Sequence, residues 1–197
     1  MMTGGMRTAS AIGCLVVLMI LVSLSAGGQA KAVLFREDFN DLDNWRPLTF
    51  PKIRNHSVYT IGTDDGNSFL RAESNASASG LICRKGYDVL EYPKVRWRWK
   101  IENVYQKGNA GERSGDDYPI RIYIIFKYDP KTATFGQRLK YGIAKAVYGE
   151  YPPGSSLNYI WASRGQKRRI LSNPYAEEAK MIILEAGTEK AGQWVEE

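Results

Sequence analysis

The stretch that decides the fold class is residues 94–101, Lys-Val-Arg-Trp-Arg-Trp-Lys-Ile. Apolar and basic side chains alternate along it, with Val95, Trp97, Trp99 and Ile101 on one side and Arg96, Arg98 and Lys100 on the other. Successive side chains of a strand point to opposite faces of its sheet, so this period of two predicts a half-buried β-strand. The basic face is either solvated or, together with Arg121 on a paired strand, suited to an anionic ligand such as a uronic acid, a phosphate or a lipid head group.

Strand patterns recur along the rest of the chain. Alternation, or a short apolar run between turn signals, predicts further strands at residues 33–39, 57–62, 68–73, 79–84, 120–128, 157–163, 180–187 and 192–197. The Asp65-Gly66 step between two of these segments is a strong hairpin signal.

One segment has a helical period instead. From Thr134 to Tyr148 the apolar residues fall four apart, at Phe135, Leu139, Ile143 and Val147. Thr134 is placed to cap the start of this helix, and Gly149 with the following prolines stops it. The sequence therefore predicts an all-β protein, a jelly-roll-like two-sheet β-sandwich with one short inserted helix. No repeat or linker divides residues 33–197, which we interpret as a single domain.

Residues 1–32 have the pattern of a secretory signal peptide. Arg7 precedes an unbroken run of small and apolar residues, and Ala30-Lys31-Ala32 offers cleavage points after Ala30 or Ala32. The alternative is a transmembrane anchor, which needs about 20 apolar residues, and this run is shorter and interrupted by two serines. We therefore expect a periplasmic or secreted protein with no membrane span after cleavage.

Composition adds few constraints. The net charge is +6 over 197 residues, and cleavage after Ala32 would remove Arg7 and Lys31 and leave +4, which is mild and does not by itself imply a nucleic-acid partner. Cleavage of the signal peptide removes Cys14, so Cys83 stands alone and is interpreted as a small buried apolar residue. The chain ends at Glu197 within a predicted strand, so we expect the domain to be incomplete at its C-terminus.

The first candidate motif is Gly115-Asp116-Asp117-Tyr118, which comes just before a predicted strand. Its two carboxylates could bind a hard cation, or one of them could act as an acid or base. The structural alternative is a pair that caps backbone N–H groups and pairs with Arg121.

The second candidate motif is Leu157-Asn158-Tyr159-Ile160-Trp161. If Tyr159 and Trp161 line the core, alternation turns Asn158 outward together with Ile160. Tyrosine, tryptophan and asparagine together are typical of sugar sites, where a ring stacks on C–H bonds and an amide binds hydroxyls. The alternative is a pair of core aromatic residues with an incidental asparagine.

Several kinds of site are disfavoured. His56 is the single histidine, which nearly excludes histidine-based zinc sites and a Ser-His-Asp triad. No nucleophile-elbow, P-loop or dinucleotide fingerprint is present. An acid-rich turn over residues 38–44 lacks the glycine and the final glutamate of an EF-hand, so Asx hydrogen bonds are the better interpretation. No metal site is assigned, and calcium is the one cofactor left open.

Six segments, taken in order, resemble a known family. They are FREDFNDLDNW (35–45), SASGL (77–81), YPKVRWRWKI (92–101), GDDYPIRIYIIF (115–126), PGSSLNYIWAS (153–163) and KMIILEAGTEKAGQWVEE (180–197). They resemble the bacterial domain of unknown function 3047 family, whose members look like secreted or periplasmic sandwich proteins without an assigned activity. Members usually continue into an E-R-N-like strand and a D-T-D-N-like motif, so the resemblance also implies a truncated C-terminus.

We therefore predict a non-catalytic binding domain for carbohydrate or another cell-envelope glycan. The alternatives are a carboxylate-dependent glycan hydrolase or lyase that uses Asp116 or Asp117, and a structural envelope protein without a ligand. The candidate ligand-binding residues are Asp116, Asp117, Arg121, Asn158 and Trp161.

Overall fold

The computed structural model describes residues 33–50, 52–148, 153–165 and 169–197. The predicted signal peptide, residues 1–32, lies outside these ranges. The chain divides into two compact units, with the boundary between Tyr87 and Asp88. The single domain over residues 33–197, its incomplete C-terminus and the periplasmic or secreted location all stay predictions. No helix in the described ranges is long and apolar enough to cross a membrane.

Strands dominate the described residues, with one α-helix among them. The strands are β1 (Trp45–Leu48), β2 (Val58–Asp64), β3 (Asn67–Glu73), β4 (Gly80–Cys83), β5 (Arg98–Trp99), β6 (Ile120–Phe126), β7 (Ser155–Ala162), β8 (Ile170–Ser172), β9 (Ala179–Ala186) and β10 (Val195–Glu196). The helix α1 spans Phe135–Tyr148, and a 3-10 helix, η1, spans Arg113–Gly115. This composition confirms the predicted all-β, sandwich-like fold class with one inserted helix.

Unit 1 contains two antiparallel strand pairs. β1 pairs with β4, and β2 pairs with β3 across the Asp65-Gly66 turn. The φ angles of these turn residues are 47° and 75°. Two positive φ angles are what a type I′ hairpin turn requires, so the predicted hairpin is confirmed. Among the described residues, every side chain of the buried core belongs to unit 2.

The strand predicted at residues 33–39 is wrong, because that segment is irregular. The Glu37 carboxylate accepts the backbone N–H of Phe39 at 2.9 Å and the indole N–H of Trp45 at 3.0 Å. Phe39 has a φ of 52°, a left-handed conformation that interrupts an extended chain. The first strand is β1 instead, and it tolerates Pro47 because β1 pairs with a single neighbour.

Unit 2 is built on a four-stranded sheet with the order β6-β7-β9-β8. β6 pairs antiparallel with β7, from Ile120 opposite Trp161 to Phe126 opposite Ser155. β7 and β9 run parallel, and β8 pairs antiparallel with β9 at the far edge. Parallel neighbours need a crossover connection, and β8 lies within the connection here. The sequence analysis did not predict β8, which is only three residues long.

The two faces of this sheet carry separate core clusters. On the first face, the β5–β10 pair packs against the sheet through Trp99 on Trp161 and Trp97 on Tyr159, with ring centroids 5.9 and 5.2 Å apart. This stacking of one strand layer on another is sandwich-like. The buried residues are Trp99, Ile101 and Trp161 on the first face, and Ala110, Tyr118, Ile160, Ala162, Met181 and Ile183 on the second face.

Residues 94–101 form a shorter strand than their alternation predicts. The ladder contains Arg98–Trp99 alone, and Trp97 adds backbone hydrogen bonds beside it. The inward position of Trp99 is confirmed, since 2% of its surface is exposed. Val95 was expected on the same inner side but is 46% exposed, because it lies beyond the end of the ladder.

The predicted helix is confirmed as α1, including its cap. The Thr134 hydroxyl accepts the N–H of Gln137 at 3.3 Å, and the Gln137 side chain accepts the N–H of Thr134 at 3.0 Å. These reciprocal bonds form a capping box. The apolar stripe nevertheless faces solvent, with Phe135 80% exposed, and the buried side chain is Tyr141 on the opposite side of the helix.

Candidate functional site

Five polar or aromatic side chains in or near the two candidate motifs meet on the second face, beside the β6 edge. Arg121 and Tyr123 lie on β6, and Asn158 lies on β7 directly opposite Tyr123. Side chains two apart on a strand share a face, so all three point the same way. Asp116 joins them from the loop before β6. We call Asp116, Tyr118, Arg121, Tyr123 and Asn158 the Arg121 cluster.

Arg121 is held by three neighbours at the centre of this cluster. Its guanidinium carbon lies 5.2 Å from the centroid of the Tyr118 ring and 5.5 Å from that of Tyr123. A cation near a ring is attracted by the quadrupole of the ring. The Nη1 atom also lies 3.5 Å from Oδ1 of Asp116, with the two side chains 33% and 12% exposed. The arginine is therefore fixed in place and still reaches solvent.

The loop before β6 determines where Asp116 lies. The Gly115 carbonyl accepts the N–H of Asn109 at 2.8 Å and that of Asp117 at 2.7 Å. A Cβ on Gly115 would lie 2.7 Å from the backbone nitrogen of Asn109. This distance is too short for any side chain, so the glycine of the motif is needed for close backbone approach.

Gly115→Ala is expected to destabilise the protein by about 1–3 kcal/mol, because the added methyl group forces the loop backbone to move. Gly111→Ala is the matched control in the same loop, since a Cβ there meets one atom, Asn109 Oδ1, at 3.7 Å. This control should stay within about 0.5 kcal/mol of wild type. Urea denaturation of both variants measures the difference, and equal stabilities would contradict the close approach at Gly115.

Burial raises the pKa of both tyrosines in the Arg121 cluster. Tyr118 is 7% exposed, and after burial the negative charge of Asp116 is the next cause that raises its pKa. For Tyr123, burial raises the pKa, the positive charge of Arg121 lowers it and Asp116 raises it again. Both phenols therefore keep their protons at neutral pH and can donate hydrogen bonds. The Tyr118 hydroxyl directs its donor to the Met181 sulfur at 3.5 Å.

The raised pKa of Tyr118 predicts a loss of stability in alkali. The unfolded phenol titrates near pH 10, whereas the folded one keeps its proton to higher pH. The contribution of the protonated Tyr118 phenol to the free energy of unfolding is therefore fully present below about pH 10. It is lost as the pH rises from there toward the pKa of the folded state. Thermal melts between pH 8 and pH 11 should show Tyr118→Phe losing less stability than wild type. Parallel curves for the two proteins would refute this effect.

Asn158 does not face outward, and that expectation is wrong. It is 1% exposed, because β7 is covered on both of its faces. The Ser156 hydroxyl donates to its Oδ1 at 3.4 Å, and its Nδ2 has no hydrogen-bond partner among the described residues. The Asn158 amide is therefore buried on the same face of the sheet as Tyr123, with an Nδ2 group that donates no hydrogen bond to the described residues.

Two predicted ligand residues lie apart from this cluster. Trp161 is 0% exposed and points to the first face, where its indole N–H donates to the Gly187 carbonyl at 3.0 Å. A ligand on the second face cannot contact it, because Trp161 and Asn158 lie on opposite faces of the sheet. Asp117 is exposed and lies between Asp116 and Tyr118 in sequence.

The sequence analysis missed the two tyrosines that hold Arg121. A signal for Tyr123 was present, since Arg121 and Tyr123 are two apart on one predicted strand and must share a face. Tyr118 precedes a proline and lies outside the strand, so alternation could not place its ring. The sequence analysis related this loop to Arg121 only through the possible pairing of its carboxylates with that residue.

A cleft of about 450 Å³ on the first face also carries aromatic side chains. Trp97, Tyr159 and Leu184 are among its lining residues. The Trp97 and Tyr159 rings pack on each other at 5.2 Å, which leaves less ring surface free to stack on a sugar. The Arg121 cluster combines more kinds of polar group and is the better candidate.

No group of three or more metal-binding side chains occurs within the described ranges. In the acid-rich turn, the Asp41 carboxylate accepts the N–H of Asp43 at 2.9 Å, and Asp38 pairs with Arg36 at 2.8 Å. The predicted Asx turn is confirmed. The calcium concentration is varied in the binding experiments below, because the sequence analysis left calcium open.

The fold and the cluster together define an all-β protein whose central sheet carries a polar site around one arginine. The family described as "Protein of unknown function (DUF3047)" matches residues 43–197, and the chain belongs to this family. The resemblance carried by the six sequence segments is thereby confirmed. No curated protein and no solved structure matches the chain.

Proposed function

We propose that this protein is a periplasmic or secreted, non-catalytic glycan-binding protein, and that the Arg121 cluster binds an acidic sugar. One observation carries the proposal. Arg121 lies between two tyrosine rings with one carboxylate beside it, and its side chain is 33% exposed. An arginine with this support is oriented before a ligand arrives, which lowers the entropic cost of binding.

The guanidinium has the donors that a uronic acid needs. It carries five N–H donors in a planar fork that matches a carboxylate. Within the described part of the chain, its contacts are the ion pair with Asp116 and the two rings. The remaining donors are available to the carboxylate or hydroxyl groups of a sugar.

The remaining features of a sugar site come from two other members of the cluster and from Asp117, which directly follows Asp116 in sequence. Tyr123 is 42% exposed, so part of its ring can stack on the C–H face of a pyranose. The Asp117 carboxylate is exposed and can accept hydrogen bonds from hydroxyls. The unpaired amide group of Asn158 lies on the same face of the neighbouring strand.

A binding role fits the carboxylates better than a hydrolase or lyase role. Glycoside hydrolysis generally uses two carboxylates on either side of the scissile bond. Asp116 is directed at Arg121, 3.5 Å away, and Asp117 is its neighbour in sequence. In this arrangement Asp116 orients the Arg121 guanidinium, and an oriented guanidinium is suited to binding an acidic sugar.

The proposal is tested by exposing the purified full chain to a panel of neutral and uronic-acid oligosaccharides, with calcium and with chelator. We expect binding of acidic members, little binding of neutral ones, and no increase in reducing ends or unsaturated products. Release of products would favour the hydrolase or lyase alternative. Absence of binding to every member in both conditions would favour a structural protein without a ligand.

A further inference from the structure

Helix α1 exposes a continuous row of large apolar side chains. Phe135, Leu139 and Ile143 are 80%, 59% and 60% exposed. They are spaced four apart, so they lie above one another on one side of the helix. We call these three residues the α1 outer row. Exposure of three large apolar side chains in a row is unfavourable in water and marks a surface that binds something.

The direction of this row is fixed by contacts on other sides of the helix. Tyr141 is 6% exposed and stacks on Tyr128 with centroids 4.3 Å apart and planes 11° apart. Lys140 pairs with Glu178 at 3.5 Å. The helix is thus attached to unit 2 through its inner side, and the row remains outward.

The charges of the helix identify the partner. Residues 135–148 contain Arg138, Lys140 and Lys145 and no aspartate or glutamate. At 100° per residue, Arg138 and Lys145 flank the outer row on one side and Lys140 flanks it on the other. An apolar row bordered by basic residues is the pattern of a helix that lies in the interface of an anionic membrane.

We propose that α1 docks this protein on an anionic lipid surface, with the α1 outer row inserted among the acyl chains and Arg138 and Lys145 at the phosphates. The 14 residues of α1 extend about 21 Å, so the helix lies in the membrane plane and does not cross the bilayer. This proposal is independent of glycan binding, because the Arg121 cluster does not include α1.

The test measures hydrogen–deuterium exchange in the 135–148 backbone amides of the full chain, with vesicles of phosphatidylcholine alone or mixed with phosphatidylglycerol. This readout is local, so an interaction of the apolar N-terminal run with either vesicle does not substitute for it. We expect protection of α1 with mixed vesicles alone. We also expect it to weaken on raising salt from about 0.1 M to about 1 M, which shortens the screening length from about 10 to 3 Å.

Variants separate the apolar and the charged contributions. Leu139→Gln with Ile143→Gln should lower the affinity for mixed vesicles at least about tenfold. Arg138→Gln with Lys145→Gln should lower it about 25-fold, at roughly fivefold for each charge near the surface. Leu90→Gln is the matched control, because Leu90 is 87% exposed and lies outside the helix. Leu90→Gln should leave the affinity for mixed vesicles unchanged.

All these side chains are exposed, so each variant should melt at the wild-type temperature. Equal protection by neutral and mixed vesicles, or no protection by either, would overturn the proposal. So would a concentration-dependent dimer that Leu139→Gln abolishes while vesicle binding is absent, since the row would then bind a second copy of the chain.

Discussion

Trp161→Ala is expected to lower the free energy of unfolding by about 3–5 kcal/mol, the usual cost of removing a fully buried tryptophan. Trp161 is 0% exposed, its ring packs on Trp99 at 5.9 Å, and its indole N–H donates to Gly187 at 3.0 Å. The variant loses this packing and also leaves the Gly187 carbonyl without its partner.

The matched control is Trp194→Ala. Trp194 is 36% exposed and lies beside Arg98 and Lys100, so its loss should cost clearly less than that of Trp161. Urea denaturation gives both values. A Trp161→Ala protein that kept wild-type stability but lost glycan binding would contradict the core role and return Trp161 to the ligand-binding residues.

Arg121→Gln is expected to weaken binding of an acidic oligosaccharide about tenfold to a hundredfold, since a hydrogen bond to a charged group contributes about 1.5–3 kcal/mol. Stability should fall by only about 1 kcal/mol, because the ion pair and the ring contacts are partly exposed. Calorimetric titration measures the affinity, and thermal melts measure the stability.

Two further variants make this result specific. Arg71→Gln removes the same charge and another ion pair, between Arg71 and Glu73 at 2.7 Å, and should leave affinity unchanged. Arg121→Lys keeps the charge but loses the planar fork, so it should restore little of the affinity. Full affinity in Arg121→Lys would indicate that charge alone is recognised, and full affinity in Arg121→Gln would place the ligand elsewhere.

Much of the fold could be predicted from local periodicity. The strands β6, β7 and β9 combine apolar runs with alternation, which predicts both the strands and the faces of most of their side chains. The hairpin between β2 and β3 and the helix α1 carry strong local signals, an Asp-Gly turn and a Thr-x-x-Gln capping box. Each of these features is determined by residues close together in the sequence.

The predictions are wrong or incomplete where contacts other than the local sequence pattern determine the conformation or burial of a residue. Residues 33–39 alternate as a strand would, but Glu37 bonds to Phe39 and Trp45 and folds the segment locally. Asn158 was expected to face outward because it alternates with Tyr159 and Trp161, but alternation cannot reveal that the face opposite these aromatic residues is covered as well. The period of α1 correctly gave a helix, but it could not show that the stripe points away from unit 2.

The site was predicted only in part, because some of its residues are close together in sequence and others are brought together by the sheet. Asp116 and Arg121 lie close together in sequence, and the structure brings them to 3.5 Å. Asn158 reaches their face through the register of β6 and β7. Trp161 was grouped with them by residue type alone, and its position three residues after Asn158 places it on the opposite face.

The most direct test of glycan binding at the Arg121 cluster is nuclear magnetic resonance of the arginine Nε–H groups during titration with an oligosaccharide of galacturonic acid. The Arg121 signal is assigned by its absence from the spectrum of Arg121→Lys. Binding at this site predicts that the Arg121 signal shifts first and saturates, while that of Arg71 stays in place. An unmoved Arg121 signal, with shifts at other arginines or at none, would contradict it.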